Sequence, residues 1–220
     1  MMKSMKKIGL GVAAVLLLAP SLQAAEGKAF LGGGLTFAND SLRKVTNNSL
    51  GLNLNGGWDY TLADTNTTFR MGLGLTILSG KEGNYTYVYD PNNTAVPVTT
   101  ISKTTLYNVQ GTVDLLIGTA AENLKIITGF SVNQWRYQAT SRNVSGAENI
   151  VPTPHPYDLQ GSKAPGNLKV GFRIGADYQV NKAWSAEAIL QLVEFGGGDS
   201  ESRLNSINPT WIQVGVKYHF

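Results

Sequence analysis

The sequence predicts an all-β protein, a closed antiparallel up-and-down barrel of about eight strands, and three observations carry that reading. Apolar and polar residues alternate with a period of two through most of the chain after residue 25. The connections between alternating segments run long, short, long, short. No stretch after the N-terminus reaches the roughly 20 apolar residues of a membrane-spanning helix, so a membrane form of this chain has to be a closed barrel.

Residues 1–25 read as an export signal. Lys3, Lys6 and Lys7 make a basic start, Ile8 to Ala19 a short apolar core, Pro20 a break, and Ser21 to Ala25 a run with small residues for cleavage. Residues 26–220 then form a single barrel domain. The whole chain has 18 basic and 15 acidic residues; the three leader lysines account for the excess and leave fifteen of each behind. Nucleic acid is therefore not an expected partner. With no cysteine, neither a disulfide framework nor a lipid-modified cysteine is available.

The predicted strands are 27–37, 49–60, 67–79, 105–118, 125–137, 167–180, 184–195 and 209–220. In the second, Leu50, Leu52, Leu54, Trp58 and Tyr60 share one face, with Asn53, Asn55 and Asp59 on the other. The third turns Phe69, Met71, Leu73, Leu75 and Ile77 outward. The fifth is ambiguous, because Ile126, Thr128, Phe130 and Val132 compete with Ile127 and Trp135 for the outer side. The sixth is the clearest: Leu168, Val170, Phe172, Ile174, Ala176, Tyr178 and Val180 alternate with polar residues or glycine. An oily exterior and a wet lumen explain that pattern without a soluble core.

The connections fall at 38–48, 61–66, 80–104, 119–124, 138–166, 181–183 and 196–208. Short periplasmic turns and long outer loops are the rule in outer-membrane barrels, which places both termini in the periplasm. Loops 80–104 and 138–166 carry Pro91, Pro97, Pro152, Pro154, Pro156 and Pro165 and are expected to be exposed and partly mobile. Tyr85, Tyr87 and Tyr89 alternate within the first of them, suiting an extension of the wall or a contact surface. Aromatic residues gather at predicted strand ends, with Trp58, Tyr60, Phe69, Tyr178, Trp184, Tyr218 and Phe220 at one rim and Phe37 and Tyr107 at the other.

The last strand, Val214 to Phe220, reads VGVKYHF; with Tyr218 and the terminal Phe220 it resembles the signal that the barrel-assembly machinery reads on outer-membrane proteins. That resemblance implies the outer membrane of a Gram-negative bacterium, with the assembly machinery and membrane lipid as partners. Gly175 to Phe195, GADYQVNKAWSAEAILQLVEF, resembles the penultimate hairpin of small eight-stranded barrels, in particular the outer-membrane protein W family, over about a tenth of the chain. The family likeness implies a non-enzymatic barrel that binds or passes small, hydrophobic molecules.

The inward residue nearest the periplasmic end of each strand is, in order, Lys28, Asp59, Arg70, Asp114, Lys125, Asp177, Glu187 and Lys217. Four charges of each sign suggest a ring of cross-strand ion pairs that plugs the mouth, or simply the polar lining of a wet lumen. Glu194 and Arg136, the outward charges, lie at outer strand ends. Inward Gly32, Gly34, Gly51, Gly72, Gly74, Gly129 and Gly171 leave room for a small cavity open to the outside, or relieve curvature.

Catalytic and cofactor motifs are sparse. His155 and His219 without cysteine do not make a zinc site, so neither a metal nor a cofactor is expected. LGGGL and GLGL precede no helix and are not phosphate loops. His155 with Asp158 is the one rim pair suited to acid–base work. Three functions stay open: a ligand-binding or ligand-passing barrel, a structural or adhesive barrel acting through its long loops, and a lipid-modifying rim enzyme.

Overall fold

The computed structural model describes residues 26–39, 42–43, 46–62, 65–89, 96–145, 169–193 and 209–220. The expected leader, the His155 and Asp158 pair, and Glu194 fall outside these residues. The strands are β1 Glu26–Ala38, β2 Leu50–Thr61, β3 Thr67–Leu78, β4 Gly83–Tyr89, β5 Val96–Gly118, β6 Leu124–Ser145, β7 Lys169–Gln179, β8 Trp184–Val193 and β9 Thr210–His219. Consecutive strands pair antiparallel except β3 and β4; β1 also pairs with β9 and β3 skips to β5, which closes eight strands into a barrel and leaves β4, paired to β5 alone, outside the closed wall. The seam between the chain ends is sealed as far as the last residue, where Phe220 N–H donates to Ala29 C=O at 2.9 Å.

The stagger of this wall determines which side chains meet. One row of paired residues runs Lys28, Asp59, Arg70, Asp114, Gly129, Arg173, Gln191, Trp211, and returns to β1 at Ala38, ten residues beyond its start. At about 3.3 Å per residue and about 4.8 Å between strands, that offset tilts the eight strands by roughly 40°. A single row of backbone pairs therefore begins at the short-turn end of the lumen and finishes at the long-loop end.

Side chains alternate across the wall as the period of two requires. Leu54, Phe130 and Val170 are 61%, 61% and 62% exposed on the outside, whereas Arg70 and Asp114 are each 1% exposed within. The ambiguity in β6 resolves by this rule: Ile126, Phe130 and Val132 face out, and Ile127 and Trp135 are buried in the lumen. The short connections from β2 to β3, β5 to β6 and β7 to β8, the second at 119–123, lie at the end that holds both termini of the barrel. Asn123, in the second of these, takes a left-handed φ of 68°, which asparagine tolerates better than most residues.

Two expectations are corrected. Residues 83–89 and 96–104 are strand rather than loop, as are 138–145, so β5 and β6 run to 23 and 22 residues and rise past the closed wall with β4 beside them. The Tyr85 to Tyr89 segment lies on β4 and extends the sheet. Pro97 is accommodated because it pairs with Val88 on the β4 side, while the β6 ladder starts only at Thr99.

Candidate functional site: the layered lumen

Three layers fill the interior. At the short-turn end, Arg70 on β3 is the hub of a charged layer. Its Nε and Nη2 each lie 2.7 Å from the Asp59 carboxylate, a bidentate pair, and its Nη1 lies 3.1 Å from Asp177 and 3.5 Å from Glu187 across the lumen. Lys217 pairs with Glu187, and Asn55 Nδ2 donates to the same carboxylate at 3.3 Å. The Phe30 ring lies against this layer, 5.1 Å from the Arg70 guanidinium and 4.8 Å from the Lys217 ammonium. His219 reaches it from the last strand, with Nε2 3.1 Å from Ser185 Oγ.

A second ion pair lies deeper, where Arg173 Nε is 2.9 Å from Asp114 Oδ1. These residues sit on β7 and β5, two strands apart, and the position between them on β6 is Gly129. A Cβ there would collide with the Asp114 carboxylate and the Val113 carbonyl, so the missing side chain is the corridor through which the pair forms. An apolar row, Leu116, Ile127 and Ile189, separates this pair from the Lys125, Asp177 and Glu187 row along that side of the wall.

The middle layer is made of amides and hydroxyls. Arg173 donates to Gln191 Oε1 at 3.3 Å, Gln191 to Ser131 Oγ at 2.6 Å, Asn133 to Ser131 at 2.7 Å, and Asn108 to Asn133 Oδ1 at 3.0 Å. Gly171 is the second corridor, since a Cβ there would meet both Gln191 and Ser131. A gap between layers, bordered by Asn55, Gln110, Thr112 and Asp114, holds about one water-sized body. The inward glycines thus serve close approach of side chains and strands.

At the long-loop end the interior turns apolar. Leu78, Leu106, Trp135, Val193 and Trp211 line a bowl, and Leu42 fills it from above. Trp135 and Trp211 meet edge to face at 5.3 Å. Trp211 Nε1 is buried there without a hydrogen-bond partner. Leu42 belongs to the 39–49 connection, which polar bonds pin down: Leu42 N–H donates to Asn39 Oδ1 at 3.2 Å, Thr46 Oγ1 to Leu42 C=O at 3.0 Å, and Asn48 Nδ2 to Ser79 C=O at 2.7 Å.

Of the eight charges read from the sequence, the structure gathers Asp59, Arg70, Asp177, Glu187 and Lys217 into one cluster and pairs Asp114 elsewhere. Lys125 Nζ bonds Thr68 Oγ1 at 2.7 Å near the rim, and Lys28 is exposed at the mouth although it stands opposite Asp59 in register. Two pairs between neighbouring strands form as expected, Asp59 with Arg70 and Glu187 with Lys217, while Arg70 also reaches across the lumen to Asp177 and Glu187, so a hub replaces the rest of the ring. Sequence reasoning missed Arg173, because it took one charge per strand and stopped at Asp177 on β7. It also missed the bowl, although Trp135 and Trp211 share the parity of the polar lumen residues.

The outside carries aromatic residues at the short-turn end, where Trp184, Tyr218 and Phe220 stack edge to face at 5.1 and 5.0 Å. No family model matches the chain, and no curated protein matches it. Solved structures do. Neisserial surface protein A aligns at 14% identity and TM-score 0.50, covering 89% of this chain and 99% of that one. A major outer membrane protein of Thermus thermophilus aligns at 11% and 0.48, with 89% and 100% covered, and the attachment invasion locus protein Ail of Yersinia pestis at 11% and 0.43, with 89% and 99% covered. At such identities it is the fold that the match to Neisserial surface protein A establishes: this chain is a closed eight-stranded β-barrel of the outer-membrane kind.

Proposed function

We propose that this barrel sits in the outer membrane with its long loops outside and both termini in the periplasm, and that it holds small apolar molecules in its outer mouth without conducting ions. The apolar band supports the membrane placement: leucine, valine, isoleucine and phenylalanine side chains cover the outer face of every barrel strand, an area that water would not tolerate. The exposed aromatic cluster of Trp184, Tyr218 and Phe220 suits the periplasmic interface, and β9 suits delivery by the barrel-assembly machinery.

The bowl under Leu42 carries the ligand reading. Five apolar side chains converge on one residue of a connecting loop, and polar bonds hold that loop rather than a strand ladder. If the loop lifts, a guest with an apolar body takes the place of Leu42, and Trp211 Nε1 offers a hydrogen bond to a single acceptor atom on it. The charged hub below closes the lumen to ions, so binding and release occur on the same side.

Quenching by 1-bromooctane tests this in nanodiscs. With Trp58 and Trp184, the outward pair among the four tryptophans, replaced by phenylalanine, only Trp135 and Trp211 report. Leu42→Ala should bind the probe several-fold tighter and Leu42→Trp weaker, with planar-bilayer current at baseline throughout. Equal quenching in all three proteins would overturn the reading. A second reading, contact with a neighbouring surface, is favoured by the β4, β5 and β6 ribbon that rises beyond the closed wall.

A further inference from the structure

We infer that the outward face of the β5 and β6 ribbon, just above the apolar band, binds the phosphates of an anionic glycolipid in the outer leaflet. The inference rests on the membrane reading above and adds a lipid class to it. On this face Tyr107 pairs with Arg136, Thr105 with Gln138, and Lys103 with Thr140. Arg136, Gln138 and Lys103 are exposed, on the same side of the sheet as Val109, Phe130 and Val132 of the apolar band directly below.

Residues 96–107 and 134–145 contain Lys103, Arg136 and Arg142 and not one aspartate or glutamate. The lumen charges neutralise one another, whereas no carboxylate among the described residues pairs with Lys103 or Arg136. At the top of the apolar band the other strands present Phe37, Leu50, Ile77, Val170, Leu192 and Ile212 outward; four residues beyond Ile77, exposed Lys81 stands level with Lys103 on the neighbouring β3 side.

Depth and chemistry then select the partner. Arg136 shares its row with Tyr107, an interfacial residue, so its guanidinium lies at headgroup height, and a guanidinium matches phosphate in a bidentate fork. Lys103 stands four residues further along β5, roughly 13 Å higher along the strand. Two cations at that spacing suit a sugar headgroup that carries phosphate at both ends. Gln138 and Thr105 between them supply amide and hydroxyl groups for the sugar.

The test compares the full-length barrel in nanodiscs of phosphatidylcholine alone, or doped with bisphosphorylated lipid A, dephosphorylated lipid A or phosphatidylglycerol. Bound lipid is read by native mass spectrometry, and insertion is read separately as heat-modifiable gel mobility. Retention of bisphosphorylated lipid A should drop roughly fivefold for each cation removed in Lys103→Gln and Arg136→Gln, and stay at wild-type level in Lys182→Gln, an exposed turn residue at the opposite end. Equal retention in the double variant, or equal binding of phosphatidylglycerol, would overturn the glycolipid site while the barrel still inserts. Failure to insert into any nanodisc would instead overturn the membrane reading on which it depends.

Discussion

The two ends of the lumen are closed by opposite chemistry. At the short-turn end Asp59, Asp177, Glu187 and Lys217 converge on Arg70 or on one another at fixed angles and distances. At the long-loop end apolar side chains surround Leu42, whose side chain is held by shape alone while hydrogen bonds hold its backbone. Charges buried in a medium of low polarisability need every partner present, so the first seal is all or none. An apolar seal has no angles to satisfy and its central residue sits on a loop, so it can open and close again. The proposed binding from one side rests on this difference between a fixed floor and a loop-borne apolar seal.

The largest expected effect breaks the fixed end. Arg70→Ala strips the counter-charge from three buried carboxylates and should destabilise the barrel by about 3 to 5 kcal/mol. The readout is the urea midpoint of the heat-modifiable band, together with ion leak in a planar bilayer, which should rise from baseline. A loss under about 1 kcal/mol, with no leak, would mean that the hub is neither stabilising nor a floor.

A smaller loss should follow at the opposite end. Leu42→Ala removes a fully buried side chain, for which about 2 kcal/mol, the lower end of the usual range, is expected because the loop can settle into the space. The same unfolding assay measures it, and the bilayer current should not change, since the floor is intact. If Leu42→Ala leaked as Arg70→Ala does, the comparison between the ends would collapse.

These two ends were not equally legible in the sequence. The wall was readable because lipid enforces one rule on every outward position, so β2, β3 and β7 announce themselves by alternation alone. The extensions of β5 and β6 escaped because they rise past the closed wall, where lipid no longer enforces alternation; the β-branched run in Val96 to Thr105 was the remaining signal. Inside the lumen, parity says which residues point inward but not which meet. That depends on the ten-residue stagger, which brings Arg70 to Asp177 and Glu187 across the barrel, and on Gly129, which lets Asp114 reach past β6 to Arg173.

Lys28 gives the sharpest test of that lesson, through the smallest effect. A ring of neighbouring pairs makes Lys28 equal to Arg70, since each stands opposite Asp59 in register on one of the two strands beside β2. The hub engages both oxygens of Asp59 with Arg70 through two 2.7 Å bonds, with His219 Nδ1 a further 3.8 Å neighbour, and leaves Lys28 in solvent at the mouth. Lys28→Ala should therefore shift stability by no more than about 0.5 kcal/mol in the assay that shows the loss in Arg70→Ala. Comparable losses in the two variants would restore the ring, because only a ring makes register, rather than reach across the lumen, decide which charges support the floor.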